Sequence, residues 1–132
     1  MTSIYTDGSC TDHHKKGKRD SYIGVFIPDI DFNFVSKVGA NTNVEAEMLA
    51  ILTGLKLAQK YNLKNPEIYN DNLVVIQICQ GVYKARKKEL KKIINIIKQY
   101  PAIYKWIPRE LNKAADCLSK QRNITVTMNL EA

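Results

Sequence analysis

The chain has 132 residues, 45% hydrophobic and 25% charged, with 20 Lys and Arg against 13 Asp and Glu and a formal net charge of +7. Such a length buries an ordinary core without staples or metals, and no apolar run approaches the roughly 20 residues that span a bilayer, so one soluble domain over residues 1–132 is expected. The basic excess suits a polyanionic partner or plain solubility, while Cys10, Cys79 and Cys117 form no C-x-x-C pair, which argues against thiolate zinc and for free thiols, or at most one disulfide, in a reducing, cytoplasmic setting.

Three strands are expected first: Ser3 to Thr6, Tyr22 to Ile27 and Phe32 to Val38. A polar loop from Thr11 to Asp20 and a turn over Pro28 to Asp31 separate them, and such short connections imply an antiparallel meander. A helix follows from about Val44 to Tyr61, N-capped by Thr42 or Asn43, with Val44, Met48, Ile51, Leu52, Leu55 and Ala58 at helical spacing. Next come a strand over Glu67 to Asn70 and a short helix from Asn72 to Ile78 that stops near Gly81. A longer helix is expected from about Ala85 to Gln99, with Leu90, Ile93, Ile94 and Ile97 on one stripe and lysines opposite. A last strand, Ala102 to Ile107, leads to a closing helix from about Asn112 to Lys120, and Ile124 to Met128 has strand propensity without a clear place. The order βββ, α, β, α, α, β, α predicts an α/β fold: a mixed five-stranded sheet, three antiparallel strands then two parallel, with helices on both faces.

Four acidic residues fall at informative places. Asp7 follows Ile4-Tyr5-Thr6 and precedes Gly8, so it reads either as a turn residue or as a carboxylate held at a strand end. Asp71 closes the fourth strand, and a βαβ crossover would set that strand parallel to the first, with both carboxyl ends on one edge. Glu47 shares a helix face with Ala50, Ile51, Gly54 and Ala58, the face that should pack on the sheet, where an unpaired carboxylate is costly. Glu45 points elsewhere, as an ordinary exposed charge. Asp116 sits one turn into the last helix, where the helix dipole alone would account for it. Carboxylates converging on one edge repel one another unless cations intervene, and hard oxygen ligands without His or Cys suit Mg²⁺ or Mn²⁺ rather than zinc.

The segments IYTDGSC, NVEAEMLAILTGLKLA, EIYNDNLVVIQICQG and WIPRELNKAADCLSK, in that order, resemble type 1 ribonuclease H. The resemblance implies metal-dependent endonucleolytic hydrolysis of the RNA strand of an RNA/DNA hybrid, with two Mg²⁺ ions, Mn²⁺ substituting, and 5′-phosphate and 3′-hydroxyl ends. It maps four metal-binding acids onto Asp7, Glu47, Asp71 and Asp116, with Glu47 also touching a ribose 2′-hydroxyl. It further implies that Gly8, Ser9 and Cys10 turn toward the RNA strand, and that Thr42 and Asn43 meet the DNA strand or its phosphates. Asn72, where a small polar residue commonly follows the aspartate, belongs to the same substrate-facing set.

Two departures from the family stand out. The loop before the last helix, Pro108-Arg109-Glu110-Leu111, lacks the histidine of the best-known members and resembles the shorter branch in which R-x-x-N precedes the final A-D. Arg109 and Asn112 then support Asp116, meet the substrate, or serve the fold alone, while His13 and His14 read as solvated loop residues. The gap from Gly81 to Ala85 is also too short for the family's basic protrusion. Its task falls to Lys84, Arg86, Lys87, Lys88, Lys91 and Lys92, as contacts to the DNA backbone. A DNA-cutting nuclease of the same fold and a non-catalytic hybrid-binding module are the competing functions, and a monomer with no membrane association is expected.

Overall fold

The computed structural model describes residues 1–13 and 18–120. Its elements are β1 (Thr2–His13), β2 (Lys18–Ile27), β3 (Phe32–Val38), α1 (Asn43–Lys60), β4 (Pro66–Asn70), α2 (Leu73–Gln80), α3 (Lys88–Ile97), β5 (Ile103–Trp106) and α4 (Lys113–Ser119). The sheet runs β3-β2-β1-β4-β5, with β1–β2 and β2–β3 antiparallel and β4 parallel to both β1 and β5. The mixed sheet expected from the element order is therefore the one observed.

Helices lie on both faces because side chains alternate along each strand. A Cβ added at Gly54 of α1 would meet Ile4, Thr6 and Ile68, so α1 packs on the face carrying those residues. A Cβ at Gly24 of β2, whose register partner is Asp7, would meet Ala115 and Leu118 of α4. Consequently α4 covers the other face. The core lies between the sheet and α1, with Ile4, Val25, Met48, Ile51, Leu55 and Ile68 almost fully enclosed, and the Ile93, Ile94 and Ile97 stripe of α3 closes it.

Several boundaries differ from expectation. β1 does not stop at Thr6 but continues to His13, and most of the expected loop from Thr11 to Asp20 is hairpin arm, in register from Tyr5↔Phe26 to His13↔Lys18. The residues of this arm, such as Thr11, Asp12, Lys18, Arg19 and Asp20, are polar in sequence, so hydrophobic alternation does not reveal it. The turn after β2 is a 3₁₀ turn, Pro28–Ile30, closed by Asp31 in the left-handed region at φ 47°. α3 starts at Lys88 instead of Ala85, leaving Lys84 and Arg86 on the connection and Lys87 as its N-cap. α2 ends as expected, with Gly81 at φ 83°. The segment Ile124 to Met128 lies outside the described residues.

Candidate metal centre

β1 and β4 pair from Thr2↔Pro66 to Tyr5↔Tyr69 and then part. Asp7 and Asp71 are two residues past that last pair on their own strands, so the fork brings them together. Asp7 thus lies at the end of the parallel pairing, not at the end of its strand. Beyond it Gly8, Ser9 and Cys10 stay extended against Ile23, Tyr22 and Ser21, which corrects the expectation of a turn there.

Gly8 is demanded by packing. A Cβ at this position would stand 2.3 Å from the carbonyl carbon of Ala46, so only glycine lets the first turns of α1 lie against β1. This approach delivers Glu47: the Gly8 N–H donates to Glu47 Oε1 at 2.7 Å. Thr42 caps α1 by accepting from the Glu45 N–H at 3.1 Å, and Glu45 reaches back to accept from the Asn41 N–H at 2.9 Å.

Asp7, Glu47 and Asp71 each offer a carboxylate oxygen within 4.8 Å of the others. Asp7 and Glu47 are buried and Asp71 is half-buried. Burial pushes Asp7 up to about 7; the carboxylates of Asp71 and Asp116 add to the rise, and the Ser119 hydroxyl, donating at 2.7 Å, opposes it. Glu47 is raised well above the carboxylate range, chiefly by burial and then by Asp7, against the hydrogen bonds from Asn70 and Gly8. Dense carboxylate oxygens that resist ionising side by side fit a hard divalent cation, which would relieve both burial and repulsion. Asp116 stands outside this trio but opens onto the same cleft of about 490 Å³, with Lys120 at 3.1 Å from its Oδ1.

The other expected site residues separate into two groups. Ser9, Asn43, Asn72 and Arg109 line the cleft, whereas Asn112, expected at the substrate or beside Asp116, is 1% exposed. Its amide donates to the Thr6 carbonyl at 3.0 Å and to Asp71 Oδ2 at 3.2 Å, so it braces Asp71 from inside. The Cys10 N–H is taken by Asn43 Oδ1 at 2.8 Å, and Asn72 caps α2 through the Val75 N–H. Lys84, Arg86, Lys87, Lys88, Lys91 and Lys92 are all exposed. Lys84 and Lys91 share a groove of about 320 Å³ with Tyr83 and Lys98, apart from the acidic cleft.

Residue reasoning from the chain alone passed over Asn70, Ser119, Lys120 and Trp106. The indole N–H of Trp106 holds the Asp71 carbonyl at 3.0 Å. Lys120 had a legible signal, its i,i+4 spacing from Asp116. Asn70 had only its place: a polar residue closing an otherwise buried strand.

The β3-β2-β1-β4-β5 sheet with an acidic fork between β1 and β4 defines a ribonuclease H-type fold. The N-terminal RNase H domain of Rv2228c from Mycobacterium tuberculosis, solved as a maltose-binding-protein fusion, superposes with a TM-score of 0.73 at 25% identity, covering 89% of each chain. LC11-RNase H1, whose structure is in complex with RNA/DNA hybrid, gives 0.71 at 28% identity over 89% of this chain and 93% of its own. EbsB of Enterococcus faecalis is 29% identical over 90 residues, 64% of this chain and 67% of its own length. The model of the family described as reverse transcriptase-like matches residues 6–122, and the chain belongs to that family.

Proposed function

We propose that this protein is a ribonuclease H: an endonuclease that hydrolyses the RNA strand of RNA/DNA hybrids and leaves 5′-phosphate and 3′-hydroxyl ends. The observation that carries the proposal is the trio of carboxylate oxygens within 4.8 Å at the strand fork, opening into a polar cleft. LC11-RNase H1, of the same fold, is seen bound to such a hybrid.

In this reading Asp7, Asp71, Glu47 and Asp116 would hold divalent ions, Asp7 and Asp71 serving both, Glu47 one and Asp116 the other, with Mg²⁺ as the metal and Mn²⁺ as a substitute. Divalent ions bound there would supply activation of a water for attack on a phosphodiester and charge stabilisation at its leaving oxygen. The remaining work belongs to the chain. Asn112 donates to the Asp71 carboxylate and Ser119 to that of Asp7, while Trp106 holds the Asp71 backbone carbonyl, so both carboxylates have a support before substrate arrives. Glu47, beside the buried Gly8, meets the 2′-hydroxyl, the group that separates RNA from DNA. Ser9, Cys10 and Asn72 contact the RNA strand, Thr42 and Asn43 the DNA strand, and Arg109 presents a cation to a phosphate at the cleft mouth. The exposed basic block takes the DNA backbone beyond it.

Residues 1–132 form one ribonuclease H domain in this proposal, acting as a cytoplasmic monomer. The three free thiols agree with a reducing compartment, and no helix among the described residues is long and apolar enough to cross a membrane.

The test is cleavage of end-labelled RNA/DNA, double-stranded RNA and double-stranded DNA with Mg²⁺, Mn²⁺ or EDTA. RNA should be cut only in the hybrid and only with metal, and Asp71→Asn should abolish cutting. Cleavage of DNA would establish the DNA nuclease instead, and hybrid binding without cleavage the non-catalytic module.

A further inference from the structure

Where β1 and β4 part, backbone groups that would continue the ladder lose their partners, and buried polar groups need replacements. Asn70, 0% exposed, supplies them. Its Oδ1 accepts from the Asn72 N–H at 2.8 Å, and its Nδ2 lies 3.1 Å from both the Thr6 carbonyl and Thr6 Oγ1. The same Nδ2 lies 3.1 Å from Glu47 Oε1.

Glu47 Oε1 is therefore held by two donors, the Gly8 N–H and the Asn70 amide, both fixed in the interior. Both donors engage the same oxygen, so one edge of the carboxylate is anchored while Oε2 is bound by neither. We propose that Asn70 is a positioning residue for Glu47, coupling the point where the strands separate to the orientation of a metal-ligating carboxylate. The inference rests on the metal-site reading above and adds to it a residue that touches no metal and no substrate.

Asn70 closes the strand fork as well as holding Glu47, so the experiment must separate these tasks. Mn²⁺ affinity is measured by titration calorimetry on protein shown to be folded by circular dichroism. Asn70→Leu, which keeps the bulk and removes the donors, should weaken Mn²⁺ binding about 10- to 100-fold, the usual cost of losing a partner that orients a ligand. Asn70→Ser, too short to reach Glu47, should do the same and serves if the leucine variant does not fold. Thr6→Val disturbs the fork by removing the Thr6 hydroxyl's bond to the Tyr69 carbonyl at 2.8 Å and its acceptance from Asn70 Nδ2, while Asn70 keeps its bonds to the Thr6 carbonyl and to Glu47. Its Mn²⁺ affinity should stay within about twofold of wild type. In a Glu47→Gln background, adding Asn70→Leu should cost less than about twofold, because the residue acts through Glu47.

Wild-type affinity in a folded Asn70 variant, or an equal loss in the Glu47→Gln background, overturns the proposal. Wild-type protein that binds no Mn²⁺ overturns the metal reading and this inference together. Wild-type protein that binds Mn²⁺ but cuts no hybrid overturns the substrate reading alone, and the affinity arm still decides the role of Asn70.

Discussion

Without metal, Asp7 makes the folded state sensitive to pH in a direction opposite to ordinary acid denaturation. Its ionisation is raised from 3.8 to about 7, first by burial and then by Asp71 and Asp116. A carboxyl raised in the folded state binds a proton that the unfolded chain has released, so stability is greatest below the unfolded value and falls as pH rises through the folded one. At about 1.4 kcal/mol per unit, a shift of about 3 units removes roughly 4 kcal/mol between pH 4 and 8; Glu47, raised in the same direction, adds to the loss. Asp7→Asn removes the charge and leaves an oxygen for the Ser119 hydroxyl. In EDTA at pH 8 the variant should be more stable than wild type by about 2–4 kcal/mol, roughly 10 °C in Tm, and nearly equal at pH 4. Mg²⁺ should then stabilise wild type and leave the variant unchanged. Urea unfolding at several pH values, with and without Mg²⁺, reads all of this. A flat metal-free profile between pH 4 and 8, or an undiminished slope in Asp7→Asn, would refute the account of Asp7 as a buried, repelled carboxylate.

Gly8→Ala should cost about 3 kcal/mol or more, since its Cβ meets Ala46 backbone, while Gly39→Ala, with nothing within 4 Å, should stay within about 0.5 kcal/mol; paired thermal melts compare them. Replacing Lys84, Lys88, Lys91 and Lys92 by alanine should flatten the log–log salt dependence of hybrid binding by up to about 3 units in filter-binding assays, and an unchanged slope would remove the block from the interface. At pH 8 the exposed Cys117 should alkylate at least about 100-fold faster than Cys79, whose thiol is pushed up to about 12 by burial; mass spectrometry of modified peptides would expose equal rates.

The sheet order was legible because it follows from connection length and crossover handedness, which need only the approximate position of each element. The acidic fork was legible for the same reason: Asp71 ends β4, and parallel pairing carries it to Asp7. Less was readable wherever an outcome depended on which groups the fork leaves without partners. Asn112 sits at a helix start, where a capping or substrate role looks natural, yet its side chain caps nothing and is turned onto Thr6 and Asp71. Asn70 is one residue from a recognised aspartate, and no local pattern distinguishes it from an ordinary strand terminus. The hairpin arm beyond Cys10 was missed because its residues are polar and show no apolar alternation, and the late start of α3 because the lysine run continues across the boundary, with Lys87 as N-cap and Lys88 and Lys91 in the first turn, so no change of composition marks it.

The Asp7-Gly8 pair shows how a correct location can accompany an incorrect local reason. Asp-Gly is a turn signal because glycine tolerates positive φ, but Gly8 lies within an extended strand and is required for its missing Cβ. A side chain there would displace α1, and with it the 2.7 Å bond from the Gly8 N–H to Glu47. The same glycine therefore sets the distance between helix and sheet and fixes one of the three converging carboxylates. Strand fork and helix approach meet at one residue, so a substitution at Gly8 disturbs Glu47 directly, whereas the neighbouring Asp7 and Asp71 keep their own supports from Ser119 and Asn112. Damage at Gly8 should therefore fall unevenly on the trio, with Glu47 displaced first.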